Sequence, residues 1–469
     1  MSIVTAARLD GLLGEWRVGG PASRRLAATI RALVLDGQIP LESRLPPERE
    51  LARTLGVSRA CVTAAYDLLR ADGYLASRRG AGSWATIPAG HLSASDSVSQ
   101  VRGLDLRIGA MPAPPCLEAL AASAAAQLPR WLDHHGYDPL GLPPLRDAIA
   151  RRFSARGLAT RPEQVMVTAG GMQGLDLALR ALSRRGRSAV AEIPGYPAAL
   201  DALRGAGLRI RHVPTTHRGW DLETIAHVCE GHRPDLAYLI PDFQNPTGAL
   251  IDPDARRVAL RTLARAGAVV MIDETFAELT LEGPTAPPMA GLGDGRTVTI
   301  GSLSKAVWGG LRVGWVRAEP PLIQRLAGAR ATVDLASPVL DQLLAVEVFG
   351  ALQEIMPQRR EALRQRRAAL TDALAAELPD WHFEPPHGGQ FIWIELPAAI
   401  STSLAVSAAE HGVHVTPGPR FGAAGLLERH LRLPYTLPPA QLRKAVAILA
   451  HVTPRACATS PDPRTCYVT

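Results

Sequence analysis

Residues 297 to 314 read TVTIGSLSKAVWGGLRVG, and this stretch decides the architecture. The apolar, β-branched run Thr297 to Ile300 predicts a buried strand. Just beyond its end stand Ser302, Ser304 and Lys305, and Arg312 follows seven residues after the lysine. A lysine at a strand end can form a Schiff base with an aldehyde, while two hydroxyls and a guanidinium can together hold a phosphate. Composition sharpens the point, because the chain holds 49 Arg and only two Lys, Lys305 and Lys444. A guanidinium does not deprotonate in proteins, so a retained ammonium points to an amine that has to lose its proton.

Further parts of such a site can be sought outward from the lysine. Asp273 closes the apolar run Val269 to Ile272, where its carboxylate can pair with a protonated pyridine nitrogen and keep that ring an electron sink. A strand-end Asp is also an ordinary helix cap. Asn245, in the turn Gln244-Asn-Pro-Thr-Gly248, can hydrogen-bond a ring hydroxyl, although Asn-Pro forms turns without any ligand. The stretch Thr168-Ala-Gly-Gly-Met-Gln173 follows a strand and opens a helix, so the amides of Gly170, Gly171 and Met172 can cradle a phosphate. Tyr196, in Pro194-Gly-Tyr-Pro197, can stack on an aromatic ring or simply fill a turn.

Apolar runs at Gln164 to Thr168, Ala189 to Ile193, Leu236 to Ile240, Val269 to Ile272 and Thr297 to Ile300 alternate with helical patterns. This predicts an α/β domain, a mainly parallel sheet covered by helices, over residues 104–336. From about Ser337 helices dominate, and short strands at Phe391 to Leu396 and His430 to Leu433 predict a smaller α+β domain over 337–453. The Ser-rich stretch 87–103 reads as an exposed linker. The tail 454–469, with Pro454 and Ser460-Pro-Asp-Pro463, reads as disordered.

The N-terminal segment follows other rules. Leu26, Ile30, Leu33 and Val34 form one apolar stripe of a helix from Ser23 to Asp36. A second helix runs from Pro47 to Leu55 and stops at Gly56, a residue able to take the left-handed cap. Ser58 then caps a third, whose inward stripe is Val62, Ala65, Leu68 and Leu69. Two helices joined so tightly are a helix-turn-helix, and a hairpin from Tyr74 to Thr86 makes the module, residues 20–86, winged. The N-terminal end of the second helix of such a pair enters the major groove, which nominates Ser58, Arg59, Ala60 and Cys61. Arg49 on the preceding helix, with Arg78, Arg79 and the Gly80 amide on the wing, would meet phosphates.

Charge agrees with this division. The formal net charge is +7, and residues 1–86 hold twelve Arg against eight acidic side chains. No apolar run approaches the roughly 20 residues of a membrane-spanning helix, and no export signal opens the chain. The five cysteines are scattered, with no pair at metal-binding spacing, and read as reduced thiols in cytoplasm without a metal site.

Arg44-Leu-Pro-Pro-Glu-Arg-Glu-Leu-Ala52, Leu55-Gly-Val-Ser-Arg59, Ala65-Tyr66 and Gly73-Tyr74-Leu75 together resemble the winged helix of the GntR superfamily of transcription regulators. That resemblance implies DNA contacts for Arg49 and Arg59, while Cys61 stands where many members carry Thr or another polar residue. Residues 104–452 resemble fold-type-I aminotransferases that use pyridoxal 5′-phosphate. The resemblance assigns Lys305 the covalent link to the cofactor aldehyde, Asp273 the pyridine nitrogen, Asn245 the ring oxygen, Tyr196 ring stacking, and Ser302 with Arg312 the phosphate. It also implies that Tyr137, in Tyr-Asp-Pro-Leu-Gly141, reaches the phosphate of a neighbouring subunit, hence a homodimer. Arg432, in His430-Leu-Arg-Leu433, matches the arginine that grips an amino acid's carboxylate. One departure is Phe276, where many transaminases place a Tyr that hydrogen-bonds the ring oxygen. A phenyl ring cannot donate, which predicts a shifted pKa at the lysine's link and weakened turnover.

The fusion resembles MocR/GabR-type regulators. It predicts a regulator whose aminotransferase-like domain senses the cofactor, or its adduct with an amine or amino-acid effector, and controls promoter DNA binding. The alternative is a working class I/II aminotransferase with an appended DNA-binding module.

Overall fold

The computed structural model describes residues 3–13, 16, 21–35, 39, 42–78, 82–86, 103–293, 295–422 and 426–458. Arg79, Gly80, most of the expected linker and the last eleven residues of the expected tail lie outside these. The winged helix comprises α1 (Ala6–Leu13), α2 (Ala22–Leu35), α3 (Glu48–Leu55), α4 (Arg59–Ala71) and the antiparallel pair β1 (Leu75–Arg78) and β2 (Gly82–Ala85). Gly56 ends α3 at φ +61°, a conformation a Cβ would strain, and its N–H returns to the α3 carbonyls. Ser58 caps α4 by accepting from the Cys61 N–H at 3.2 Å. Glu48 on α3 accepts from Thr63 and Arg70 on α4, and the buried Tyr66 hydroxyl donates to the Pro46 carbonyl at 2.9 Å, so the angle between the two helices is pinned from both sides. One element was not foreseen: α1 buries Leu9 and Leu13 in the same core, which therefore begins well before the expected boundary at residue 20.

The large domain is built on an eight-stranded sheet. In spatial order its strands are Val165–Thr168, Gly314–Arg317, Thr297–Ser302, Val269–Asp273, Leu236–Leu239, Ser188–Ile193, Arg209–Thr216 and Gly219–Trp220. The strands from Thr297–Ser302 through Arg209–Thr216 pair in parallel, while Gly314–Arg317 runs antiparallel to both its neighbours. Buried Val, Ile, Leu and Ala on both faces explain why these strands read as continuous apolar runs. A helix of 39 residues, Val339–Glu377, leads into the small domain, whose antiparallel sheet is His382–Phe383, Phe391–Glu395, His430–Pro434 and Thr416–Pro417.

Two more expected boundaries need correction. Leu104–Asp105 pairs with Val413–His414, so the start of the segment assigned to the large domain belongs to the small one. The last helix, Pro439–Ala458, continues through Pro454 because Ala456 is fully buried in the main core; the expected disorder at residues 454–458 is not found.

Candidate functional site

Parallel strands end together, and the crevice outside their carboxyl ends is where open α/β sheets take ligands. Here that crevice is a cavity of about 380 Å³. Gly171, Met172, Tyr196, Asn245, Asp273, Ser302, Ser304, Lys305, Arg312 and Arg432 all line it. The motifs read separately along the chain therefore converge.

Lys305 follows the strand Thr297–Ser302 on a short helix, Leu303–Ala306, that Ser302 caps by accepting from the Ser304 N–H. Its Nζ donates to the Gly109 carbonyl at 2.7 Å and lies 5.9 Å from the Phe276 ring centre. Desolvation lowers its pKa to about 8, with Arg432 adding to the effect and Asp273 opposing it. Such an amine reaches its neutral, nucleophilic form at a far lower pH than an ordinary lysine, as attack on an aldehyde requires. Lys444 is instead exposed on the last helix.

Asp273 is oriented by two donors: the Tyr238 hydroxyl reaches Oδ2 at 2.6 Å and the Thr275 N–H reaches Oδ1 at 2.9 Å. Tyr238 escaped the sequence reading because it sits within an apolar strand. The available signal was its hydroxyl, which a buried Tyr has to pair. Phe276 is buried edge-on against Phe391, 5.6 Å between centres, so an apolar ring occupies the position where the resemblance expected a donor.

At the other end of the cavity, Gly170 takes φ +85° and the helix Gly171–Leu182 begins. A Cβ on Gly170 would come within 2.9 Å of Arg312 Nη2, which donates to the Ala169 carbonyl at 2.9 Å. The Ser302 and Ser304 hydroxyls are 3.0 Å apart, and Thr275, another residue the sequence reading missed, lines the same end. Amides at a helix start, hydroxyls and a guanidinium make a donor set suited to a phosphate dianion.

Arg432 is 6% exposed and lies between Phe391 and Phe421, 4.3 and 4.8 Å from their ring centres. It donates to Asn245 Oδ1 at 3.2 Å and to the Arg107 carbonyl, while its Nε is buried without a partner. Burial lowers its pKa to about 10, opposed by Tyr196. None of its described partners is a carboxylate. Arg256, fully buried elsewhere, shows the contrast: it is paired to Asp242 at 2.9 Å and also donates to the Pro241 and Ile251 carbonyls. A buried guanidinium with no carboxylate among its described partners fits a site that receives one.

Tyr137 does not line this cavity. It is 64% exposed, stacked on His135. On the winged helix, Arg49, Ser58, Arg59 and Ala60 are exposed and Cys61 is half-buried, so the nominated residues at the start of α4 face outward. Arg78 closes β1, beside the wing tip.

The model of aminotransferase class I and II matches residues 102–449. The chain belongs to this family. Residues 22–84 match the gntR family of bacterial regulatory proteins, so the chain is a MocR-type fusion of a DNA-binding domain and an aminotransferase-like domain. It is similar to the HTH-type transcriptional regulator TauR of Rhodobacter capsulatus, 27% identical over 92% of this chain and 96% of that one. The probable rhizopine catabolism regulatory protein MocR of Rhizobium meliloti is 33% identical over 64% of this chain and 66% of its own length. Among solved structures, LysN, an alpha-aminoadipate aminotransferase of Thermus thermophilus complexed with N-(5′-phosphopyridoxyl)-L-leucine, superposes with a TM-score of 0.69. It shares 32% identity and covers 76% of this chain and 93% of its own.

The cofactor is pyridoxal 5′-phosphate, and the residues present fit it. The amides of Gly170 and Gly171, the Ser302 and Ser304 hydroxyls and the Arg312 guanidinium are donors of the kind that would hold its phosphate, the Asp273 carboxylate would pair with a protonated ring nitrogen, and Lys305 would supply the amine. Among the described residues no helix is long and apolar enough to cross a membrane.

Proposed function

We propose that the chain is a transcription regulator that reads promoter DNA through Arg49, Arg59 and the wing, and senses pyridoxal phosphate, or its adduct with an amine or amino acid, in the Lys305 cavity. Bound there, the cofactor supplies an aldehyde and an electron-withdrawing ring. Lys305 would offer the amine, the Asp273 carboxylate would accept a hydrogen bond from the protonated ring nitrogen, and Arg432 would grip an effector's carboxylate through a paired contact.

The observation that carries this reading is a shared core. The small-domain helix Ser401–Glu410 sends Val406, 6% exposed, into the hydrophobic cluster of the winged helix. The same helix begins at Ser401, whose hydroxyl donates to the His430 carbonyl at 2.5 Å, two residues from Arg432 on one strand. Effector binding at Arg432 and the seat of the DNA-binding module are thus mechanically continuous, which supports a ligand switch between two states of unequal affinity. Exposed Tyr137, away from its own cavity, supports a homodimer in which it reaches the partner's phosphate. A dimer predicts two operator half-sites, inverted or direct repeats, and we place the protein in the cytoplasm.

The test is fluorescence anisotropy of a labelled fragment of the gene's own upstream DNA at fixed salt, with apo protein and with protein loaded with cofactor. Specific binding that shifts with the cofactor is expected. Equal binding to upstream and scrambled DNA, unaffected by the cofactor, overturns the reading. It would favour the second one, a working transaminase, which the intact set of Lys305, Asp273, Asn245 and Arg432 supports and which sustained turnover of an amino acid with a keto acid would reveal.

A further inference from the structure

Glu192, near the end of the strand Ser188–Ile193, is 1% exposed and does not line the cavity. Its Oε1 accepts from Trp220 Nε1 at 2.7 Å and from the Ile240 N–H at 3.0 Å, and its Oε2 accepts from Gln244 Nε2 at 3.0 Å. No described partner is a cation. Burial pushes its pKa up to about 7; the hydrogen bonds from Gln244, Ile240 and Trp220 oppose this, and Asp273 adds to it. A carboxylate buried without a counter-charge is costly, and an apolar side chain would fill this space at less cost. Something other than packing has to account for it.

Its third donor indicates what. The Gln244 amide is fully committed: Nε2 also donates to the Pro194 carbonyl at 2.8 Å, and Oε1 accepts from the Thr247 N–H at 3.0 Å and the Thr247 hydroxyl at 2.7 Å. Two turns are thereby tied together. Pro194 lies two residues before Tyr196, and Gln244 is the neighbour of Asn245. Ile240, held by Glu192 through its N–H, lines the cavity itself. The Pro194 carbonyl and the Thr247 N–H fix which end of the amide faces which neighbour, and Glu192 Oε2, accepting the other Nε2 hydrogen, anchors that amide to the strand Ser188–Ile193.

We propose that Glu192 is a positioning residue that, through Gln244, sets the separation of Tyr196 and Asn245 and so the seat of the cofactor ring. This rests on the reading of the cavity as the cofactor pocket. Glu192→Gln preserves size but must turn an NH₂ group toward a donor, either Gln244 or the Trp220 and Ile240 pair. In the full-length protein, well below its unfolding temperature, the expected result is a cofactor Kd raised about tenfold, or about 1.4 kcal/mol. The pH midpoint of the bound cofactor's visible absorbance should move with it. A purely structural role would lower the thermal midpoint of the apo protein and leave both readouts where they were; that pattern overturns the proposal.

Trp220→Phe, which removes one donor remote from the cavity, should raise the Kd in the same direction by less, roughly threefold. If Glu192→Gln does not fold, Gln244→Met carries the test, and a folded Gln244→Met protein with unchanged Kd and midpoint overturns the proposal equally. Failure of the wild-type protein to bind the cofactor at all would instead remove the pocket reading on which this one stands.

Discussion

The DNA-reading face and the cofactor cavity are assembled in opposite ways. In the first, α3, a three-residue turn and α4 are contiguous, and each contact that sets their angle joins residues at most 22 positions apart. In the second, Lys305 meets a carbonyl 196 residues away and Arg432 one 325 residues away. A surface built from local sequence can be moved between proteins as a unit. A cavity built from distant segments exists only when the whole domain has folded, and any motion of a segment is felt inside it. This division suits a sensor attached to a reader: the part that must report change is the part whose geometry depends on everything else.

The largest expected effect separates the two regions outright. Lys305→Ala should abolish the visible absorbance of the loaded protein and the cofactor's influence on DNA binding, while the apo protein's DNA affinity stays as it was. An apo affinity that also collapses would mean that the regions are not separable. Arg59→Ala is the converse, expected to weaken specific DNA binding by about 1–3 kcal/mol in anisotropy titrations. Cofactor Kd should be untouched by it. A smaller effect, about tenfold, concerns pH. With its pKa lowered to about 8, Lys305 is mostly protonated below that pH and mostly neutral above it. The rate of cofactor incorporation by apo protein should therefore rise between pH 7 and pH 9 and then level off; a flat profile would show that the amine is not the group being titrated.

How much of this was legible before folding depended on the kind of information involved. Lys305, Asp273, Asn245 and Arg312 were readable because the chemistry of a phosphate and a pyridine calls for those side chains, Arg432 was readable only through the resemblance, and all of them line one cavity. Tyr238, Thr275 and Glu192 were not, since their roles lie in what they touch. Arg209–Thr216 passed unnoticed as a strand because RIRHVPTT alternates charge into what is nearly an edge, and its interior partner is seen only in the sheet. Gly314–Arg317 was hidden by its brevity and antiparallel direction. At the C-terminus Pro454 signalled a stop, but burial of Ala456 outweighs the missing N–H and the helix continues.

The near-absence of lysine has a practical consequence. Apart from the amino terminus, Lys305 and the exposed Lys444 are the primary amines of the entire chain. Borohydride reduction of the cofactor-loaded protein should deposit a permanent tag on a single peptide against almost no background. Digestion and mass spectrometry would then report pocket occupancy directly, even in a crude extract where absorbance is useless, and would do so for any aldehyde that competes for the same amine.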